Sequence, residues 1–239
     1  FRRVLFRSGC RNASINYDGN PNAANSKFVV ISDNTIWNTG SADWNGTANA
    51  SANAISFRDC EQTIVANNTI YNTPSSAIYL SKCEKSVVSG NIIKQAAYGV
   101  QMASQGDTII ANNRISFTTN TGILGFNGCT ITSNQVSDFG IGIRIPNSST
   151  NWTVALNWCN VGTTGIQIGS GATGVNVNNT VSGAASPYQI YDDLTSTGST
   201  IDVPNETTYR IIGTADGTGT FTTAHDIPDA EANLTGVQA

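Results

Sequence analysis

The chain has 239 residues, of which 39% are hydrophobic and only 12% charged, with a formal net charge of −4. Four of the twelve basic residues (Arg2, Arg3, Arg7 and Arg11) fall in the first eleven positions, so the remainder, with eight basic and sixteen acidic residues, carries −8. That balance argues against a phosphate-binding surface and against nucleic acid as a partner, and no apolar run approaches the ~20 residues of a membrane-spanning helix.

A charged share of about half the usual one is made up by Asn, Thr, Ser and Gly, which suit short strands and tight turns better than exposed helices. At the start, Phe1–Ser8 reads FRRVLFRS and matches nothing that follows. It resembles translated adapter sequence, so residues 1–11 are set aside as a non-native-looking leader.

From there a repeat takes over. The segments VISDNTIWN, IVANNTIYN, VVSGNIIKQ, IIANNRISF, TITSNQVSD, TVALNWCNV and VNVNNTVSG align on Asn34, Asn68, Asn91, Asn113, Asn134, Asn157 and Asn179. Two residues after each lies an apolar position: Ile36, Ile70, Ile93, Ile115, Val136, Cys159, Val181. Three before lies another, with Asn176 the one polar exception. A second run recurs as AISF, AIYL, GVQM, GILGF, GIGIRI and GIQI, starting at Ala54, Ala77, Gly99, Gly122, Gly140 and Gly165. Its alternation has period two, which excludes helical solenoids and coiled coils. Three short strands per coil of 21 to 23 residues predict an all-β, right-handed parallel β-helix over residues 12–191, with about seven coils and a rod ~30–35 Å long at 4.8 Å per coil. The recurring asparagine should bond its own backbone and the next asparagine in the stack. Glycine before the second run is expected to supply turn conformations.

The interval between Asn34 and Asn68 exceeds one coil, and the surplus is the polar segment 38–53, NTGSADWNGTANASAN. A long loop in so regular a solenoid points to function. It carries Trp44 and follows Trp37. With Ile36 inward, Trp37, Tyr71 and Lys94 should point outward in a row, and stacked aromatics beside polar groups bind the apolar faces and hydroxyls of sugars. The competing reading is a small satellite core under the loop.

The five cysteines match no zinc or disulfide framework. Cys60 and Cys83 head the equivalent segments CEQTIV and CEKSVV and should stack as free buried thiols, because directly stacked parallel neighbours make awkward disulfides. Cys159 takes an apolar slot. Glu61 and Glu84 are equivalent in adjacent coils with Asp59 nearby, a spacing within reach of the carboxylate pairs that cleave glycosidic bonds. Arg58, Lys82 and Lys85 are interspersed among them, so the alternative is a solvated charge row. Arg114 and Arg144 look outward without a basic cluster around them. No metal site and no cofactor are expected. The single histidine, His225, fits a strand end or turn better than a catalytic base.

After Tyr191 the pattern is expected to stop. Residues 192–239 read as a linker and the start of a β-rich, sandwich-like domain that is cut short.

The repeats, over about residues 28 to 191, resemble the pectate-lyase-like β-helix superfamily, which includes pectate and alginate lyases, polygalacturonases, C5-epimerases and bacteriophage tailspikes. The Asp-Pro-His-Asp signature of the alginate epimerases is missing. The C-terminal segment GTFTTAHDIPDAEANLTGVQA is similar to the strands that follow the β-helix in tailspikes and tail fibres. The resemblance implies an extracellular or virion-associated protein, a homotrimer, that binds and depolymerises bacterial surface polysaccharide, with Glu61, Glu84 and Asp59 as the candidate catalytic residues and Trp37, Trp44, Tyr71 and Lys94 contacting the glycan. Two other readings stand beside it: a secreted polysaccharide lyase or hydrolase, and a non-catalytic structural or adhesive solenoid.

Overall fold

The computed structural model describes residues 15–18, 26–39, 51–103, 106–190, 200–201 and 209–211. Its elements are all strands, joined in one seventeen-stranded sheet that winds into a parallel solenoid of about six turns. The seven ladder asparagines bound six full turns, which accounts for the difference from the seven coils expected.

Each coil is built round its ladder asparagine. The strands β3 (Thr35–Trp37), β5 (Thr69–Glu84), β7 (Ile92–Met102), β9 (Arg114–Leu124), β11 (Gln135–Ile145), β13 (Trp158–Ile168) and β15 (Thr180–Ile190) begin one residue after it. The strands β2 (Ser26–Ser32), β4 (Ile55–Ala66), β6 (Val87–Ser89), β8 (Ile109–Ala111), β10 (Thr130–Thr132), β12 (Thr150–Ala155) and β14 (Thr173–Val177) run up to it. From Asn68 onward, the two runs that follow each asparagine are continuous through their corner rather than two separate short strands, whereas after Asn34 the strand β3 stops at Trp37. The bend survives as a register shift, for example between Thr73 and Ser76 where β5 pairs with β7.

The interior is a set of stacked rows. Ile36, Ile70, Ile93, Ile115, Val136 and Cys159 lie in register and are almost fully buried, as is the row Val65, Val88, Ile110, Ile131 and Val154. Each buried aliphatic side chain contributes about 1.5–3 kcal/mol, and the stack makes every coil's apolar face the lid of the next. Asn176 takes the last place in the second row. It is buried, and its Oδ1 accepts from Asn179 Nδ2 at 2.8 Å.

The ladder asparagines form a continuous buried chain of amides. Asn113 is representative: its Nδ2 donates to Ala111 O at 3.1 Å, Val88 O at 3.0 Å and Asn134 Oδ1 at 2.9 Å. Its Oδ1 accepts from the backbone N–H and the Nδ2 of Asn91, at 3.0 and 2.9 Å. The left-handed residue of this turn is not the asparagine but the one before it: Asp33, Asn67, Gly90, Asn112, Ser133, Leu156 and Asn178 have φ between 52° and 65°. A second left-handed corner falls four residues after the asparagine, at Asn38, Asn72, Gln95, Phe117, Asp138, Val161 and Gly183. Both corners project into solvent, so almost any residue type occurs there despite the backbone preference for Gly, Asn and Asp.

The glycines of the second run do something other than turn the chain. Gly99, Gly122, Gly142 and Gly165 are buried in one inward row that continues Ala54 and Ala77. A Cβ on Gly122 would sit 2.4 Å from Val136 Cγ1 and 2.6 Å from Gly142 O. They are small because the solenoid is narrow there. The register also corrects the alignment of GIGIRI, where Gly142, not Gly140, occupies the shared slot.

Beyond Tyr191 the stacking continues. Strand β16 (Thr200–Ile201) pairs with β14, and β17 (Tyr209–Ile211) pairs with β15, both in parallel. At the other end β1 (Ile15–Asp18) pairs with β4. The leader 1–11, Trp44 and His225 lie outside the described residues.

Candidate ligand-binding face

The outward positions of the strands that leave the ladder make one flat face. Trp37 is in register with Tyr71, Tyr71 with Lys94 and Lys94 with Ser116, so the expected row is present, and Trp37 (39%), Tyr71 (37%) and Lys94 are exposed. Two residues earlier in each strand a second outward row runs through Thr69, Ile92, Arg114, Gln135 and Trp158. Side chains two apart on a strand share a face, so Arg114 stands beside Lys94, one coil on. No basic cluster around Arg114 is visible in the sequence, because the two cations sit in different rows and in different coils. Trp158 (41% exposed), which the sequence presents only as part of the repeat, adds an aromatic further along.

Phe117 also completes this surface. It occupies the left-handed corner next to Ser116, is half exposed, and its ring lies 5.4 Å from Lys94 Nζ. That cation–π contact holds the ammonium on the face. Along the same corner Asn72 Nδ2 donates to Asn38 Oδ1 at 2.7 Å, which lines the edge of the aromatic row with amides. Thus the face offers ring-stacking surfaces, hydroxyls, amides and two cations. The strand positions of both rows carry no carboxylate, whereas the corners carry Asp33 and Asp138.

The candidate catalytic carboxylates are elsewhere. Glu61 and Glu84 are in register on β4 and β5, directly behind the stacked Cys60 and Cys83. Lysines interleave them: Lys85 Nζ lies 3.2 Å from Glu61 Oε1, and Lys82 Nζ lies 3.7 Å from Asp59 Oδ1. Lys82, Asp59, Gln62 and Lys85 all adopt positive φ, which marks this stretch as a corner. Glu61 precedes Tyr71 by ten residues, with the corner at Gln62, the last part of β4 up to Ala66 and the turn at Asn67 and Asn68 between them. The two sets of candidate residues therefore occupy different faces.

Among the described residues, Cys60, Cys83, Cys129 and Cys159 are buried and outside any disulfide. Burial pushes the thiols of Cys83 and Cys159 up to about 12 and that of Cys129 up to about 11. Cys60 Sγ donates to Arg58 O at 3.1 Å and Cys83 Sγ to Ser81 O at 3.4 Å. Among the described residues no three His, Cys, Asp or Glu side chains are grouped to hold a metal ion.

The architecture places the chain among the parallel β-solenoids with an exposed aromatic and cationic face. The sequence profile described as "Periplasmic copper-binding protein (NosD)" matches residues 6–160, and the chain belongs to that family. A solved structure, titled as that of PfbA, a surface adhesin of Streptococcus pneumoniae, is 11% identical with a TM-score of 0.36, covering 77% of this chain and 60% of that one. The chain thus spans less than two thirds of that protein's length. No curated protein sequence matches the chain. The family name raises copper, but the described residues do not fit it. The thiols of Cys83, Cys129 and Cys159 are held protonated by burial, and among the described residues no cluster of ligands accompanies the cysteines.

Proposed function

We propose that this solenoid is a non-hydrolytic binding protein that holds an extended polysaccharide along the face bearing Trp37, Tyr71, Lys94 and Trp158. The carrying observation is the in-register exposure of Trp37 and Tyr71 beside the amides of Asn38 and Asn72. Exposed rings with hydrogen-bonding edges are what a sugar chain needs, and a flat parallel sheet repeats them at ~4.8 Å intervals. The polymer would run parallel to the solenoid axis. A periplasmic or extracellular setting suits such a ligand and agrees with the name of the family.

The second reading is a tailspike-like, trimeric, virion-associated depolymerase acting on bacterial surface polysaccharide through Glu61 and Glu84. Its support is the superfamily resemblance and the register of the two carboxylates. The lysine partners of Glu61 and Asp59, and the corners that separate the row from the aromatic face, favour the non-hydrolytic reading. Affinity electrophoresis through gels containing bacterial capsular and uronate polysaccharides tests the two. Retardation by at least one polymer, lost in a Trp37→Ala/Tyr71→Ala variant and without release of reducing ends, is expected. Product release that disappears in Glu61→Gln would establish the depolymerase instead, and sedimentation would then be expected to give a trimer.

A further inference from the structure

We propose that the polysaccharide bound on this face is acidic, and that Lys94 and Arg114 together form its carboxylate-recognition subsite. The inference rests on the glycan-binding reading above and adds the ligand's charge class. Three observations carry it. Lys94 and Arg114 are in adjacent coils, since Ile92 is in register with Arg114 and Lys94 with Ser116, so the two cations are diagonal neighbours about 7–8 Å apart in the middle of the face, within reach of one another for long side chains. Both are exposed, and among the described residues neither makes an ion pair, in contrast to Lys82 and Lys85, which are paired. The outward strand positions around them carry no carboxylate, in a chain whose residues 12–239 are two to one acidic over basic.

A net-acidic protein gains nothing in solubility from two adjacent unpaired cations. Placed between Tyr71 below and Trp158 above, they are positioned to meet a negative group on a ligand that stacks at both ends. The Phe117 ring restrains the Lys94 ammonium at 5.4 Å, which reduces the side-chain entropy lost on binding. Arginine offers a planar, two-pronged donor that matches a carboxylate, and lysine a point charge beside it. From Trp37 to Trp158 the face spans five coil spacings, about 24 Å, room for several sugars.

The test uses the full chain and a matched pair of probes: polygalacturonate and its carboxyl-reduced, neutral counterpart, followed by titration calorimetry at low and high salt. The acidic polymer is expected to bind at least tenfold tighter than the neutral one at low salt. The gap should narrow as salt rises and close in Lys94→Gln/Arg114→Gln, while Trp37→Ala/Tyr71→Ala weakens both polymers. Equal binding of the two polymers by the parent would overturn this inference and leave the glycan-binding reading intact. Binding of polyglutamate as tightly as polygalacturonate would show bare charge attraction and overturn it too. Binding of neither polymer, together with no retardation by any polysaccharide above, would overturn both. Both substituted side chains are exposed, so unfolding of the double variant is not expected, and circular dichroism checks that directly.

Discussion

Replacing Asn113 by Ala should cost far more stability than replacing Asn34 by Ala, although both side chains are buried. Asn113 sits mid-ladder. Its loss strands the backbone N–H of Asn91, removes the acceptor of Asn91 Nδ2, and deprives Val88 O and Ala111 O of a donor. Each buried group left without a partner costs ~1–3 kcal/mol, and some of these share other bonds, so the total is about 3–5 kcal/mol. Asn34 is the first rung. Among the described residues nothing donates to its Oδ1, and in Asn34→Ala the Oδ1 of Asn68 keeps the backbone N–H of residue 34 as donor. The expected cost there is only ~1 kcal/mol. Urea denaturation followed by circular dichroism gives both values, with the midpoint as readout. Equal midpoint shifts for the two variants would refute the idea that cooperation between rungs, rather than burial of the residue, holds the turn together.

Other expectations concern the corners, the narrow interior and the thiols. Leu156 has φ 58° and is 60% exposed, so Leu156→Asn should stabilise by about 1 kcal/mol, seen as a raised urea midpoint; a lowered one would contradict the strain argument. Gly122→Ala should destabilise by about 1–3 kcal/mol through overpacking, opposite in sign to the usual gain from Gly→Ala, and a stabilised variant would mean the row is looser than described. Cys83 and Cys159 ionise near 12 in the fold against 9.0 for an ordinary thiol, so the folded chain holds protons that the unfolded chain releases. Stability should be fully present below pH 9 and fall between about pH 9 and 12, with less loss in a Cys83→Ala/Cys159→Ala variant. The same thiols should resist alkylation at pH 8 until urea unfolds the chain, and rapid labelling of the native protein would count against their burial.

Much of this molecule is legible in its sequence, for physical reasons that also show where reading stops. The asparagine ladder and its inward Ile and Val rows could be counted because burial tolerates few residue types. Every outward residue three after the asparagine then followed by alternation, which is why Trp37, Tyr71 and Lys94 were placed in register. The left-handed corners were not legible: Asp33, Gly90, Ser133 and Leu156 share a conformation and little else, because exposure relaxes the choice of side chain. The shared slot falls at Gly142 and not two residues earlier, which the sequence leaves ambiguous because GIGI offers a glycine at either register of a period-two pattern. Phe117 is not legible because it lies one residue off the outward row, on a corner whose direction no alternation rule gives. Strands as short and polar as β16 and β17 carry no pattern to read, and only their pairing reveals them. Glu61 and Glu84 were correctly aligned, but alignment along the axis says nothing about how far round the coil they stand from the aromatics.

The most direct test of the central claim is titration calorimetry of the best-retained polysaccharide against three proteins: the parent, Trp37→Ala/Tyr71→Ala and Glu61→Gln/Glu84→Gln. Binding weakened at least tenfold in the aromatic variant, unchanged in the carboxylate variant and accompanied by no cleavage is the predicted result. Binding that survives loss of both rings, or that vanishes with the two carboxylates, would contradict the account and move the site to the other face of the solenoid.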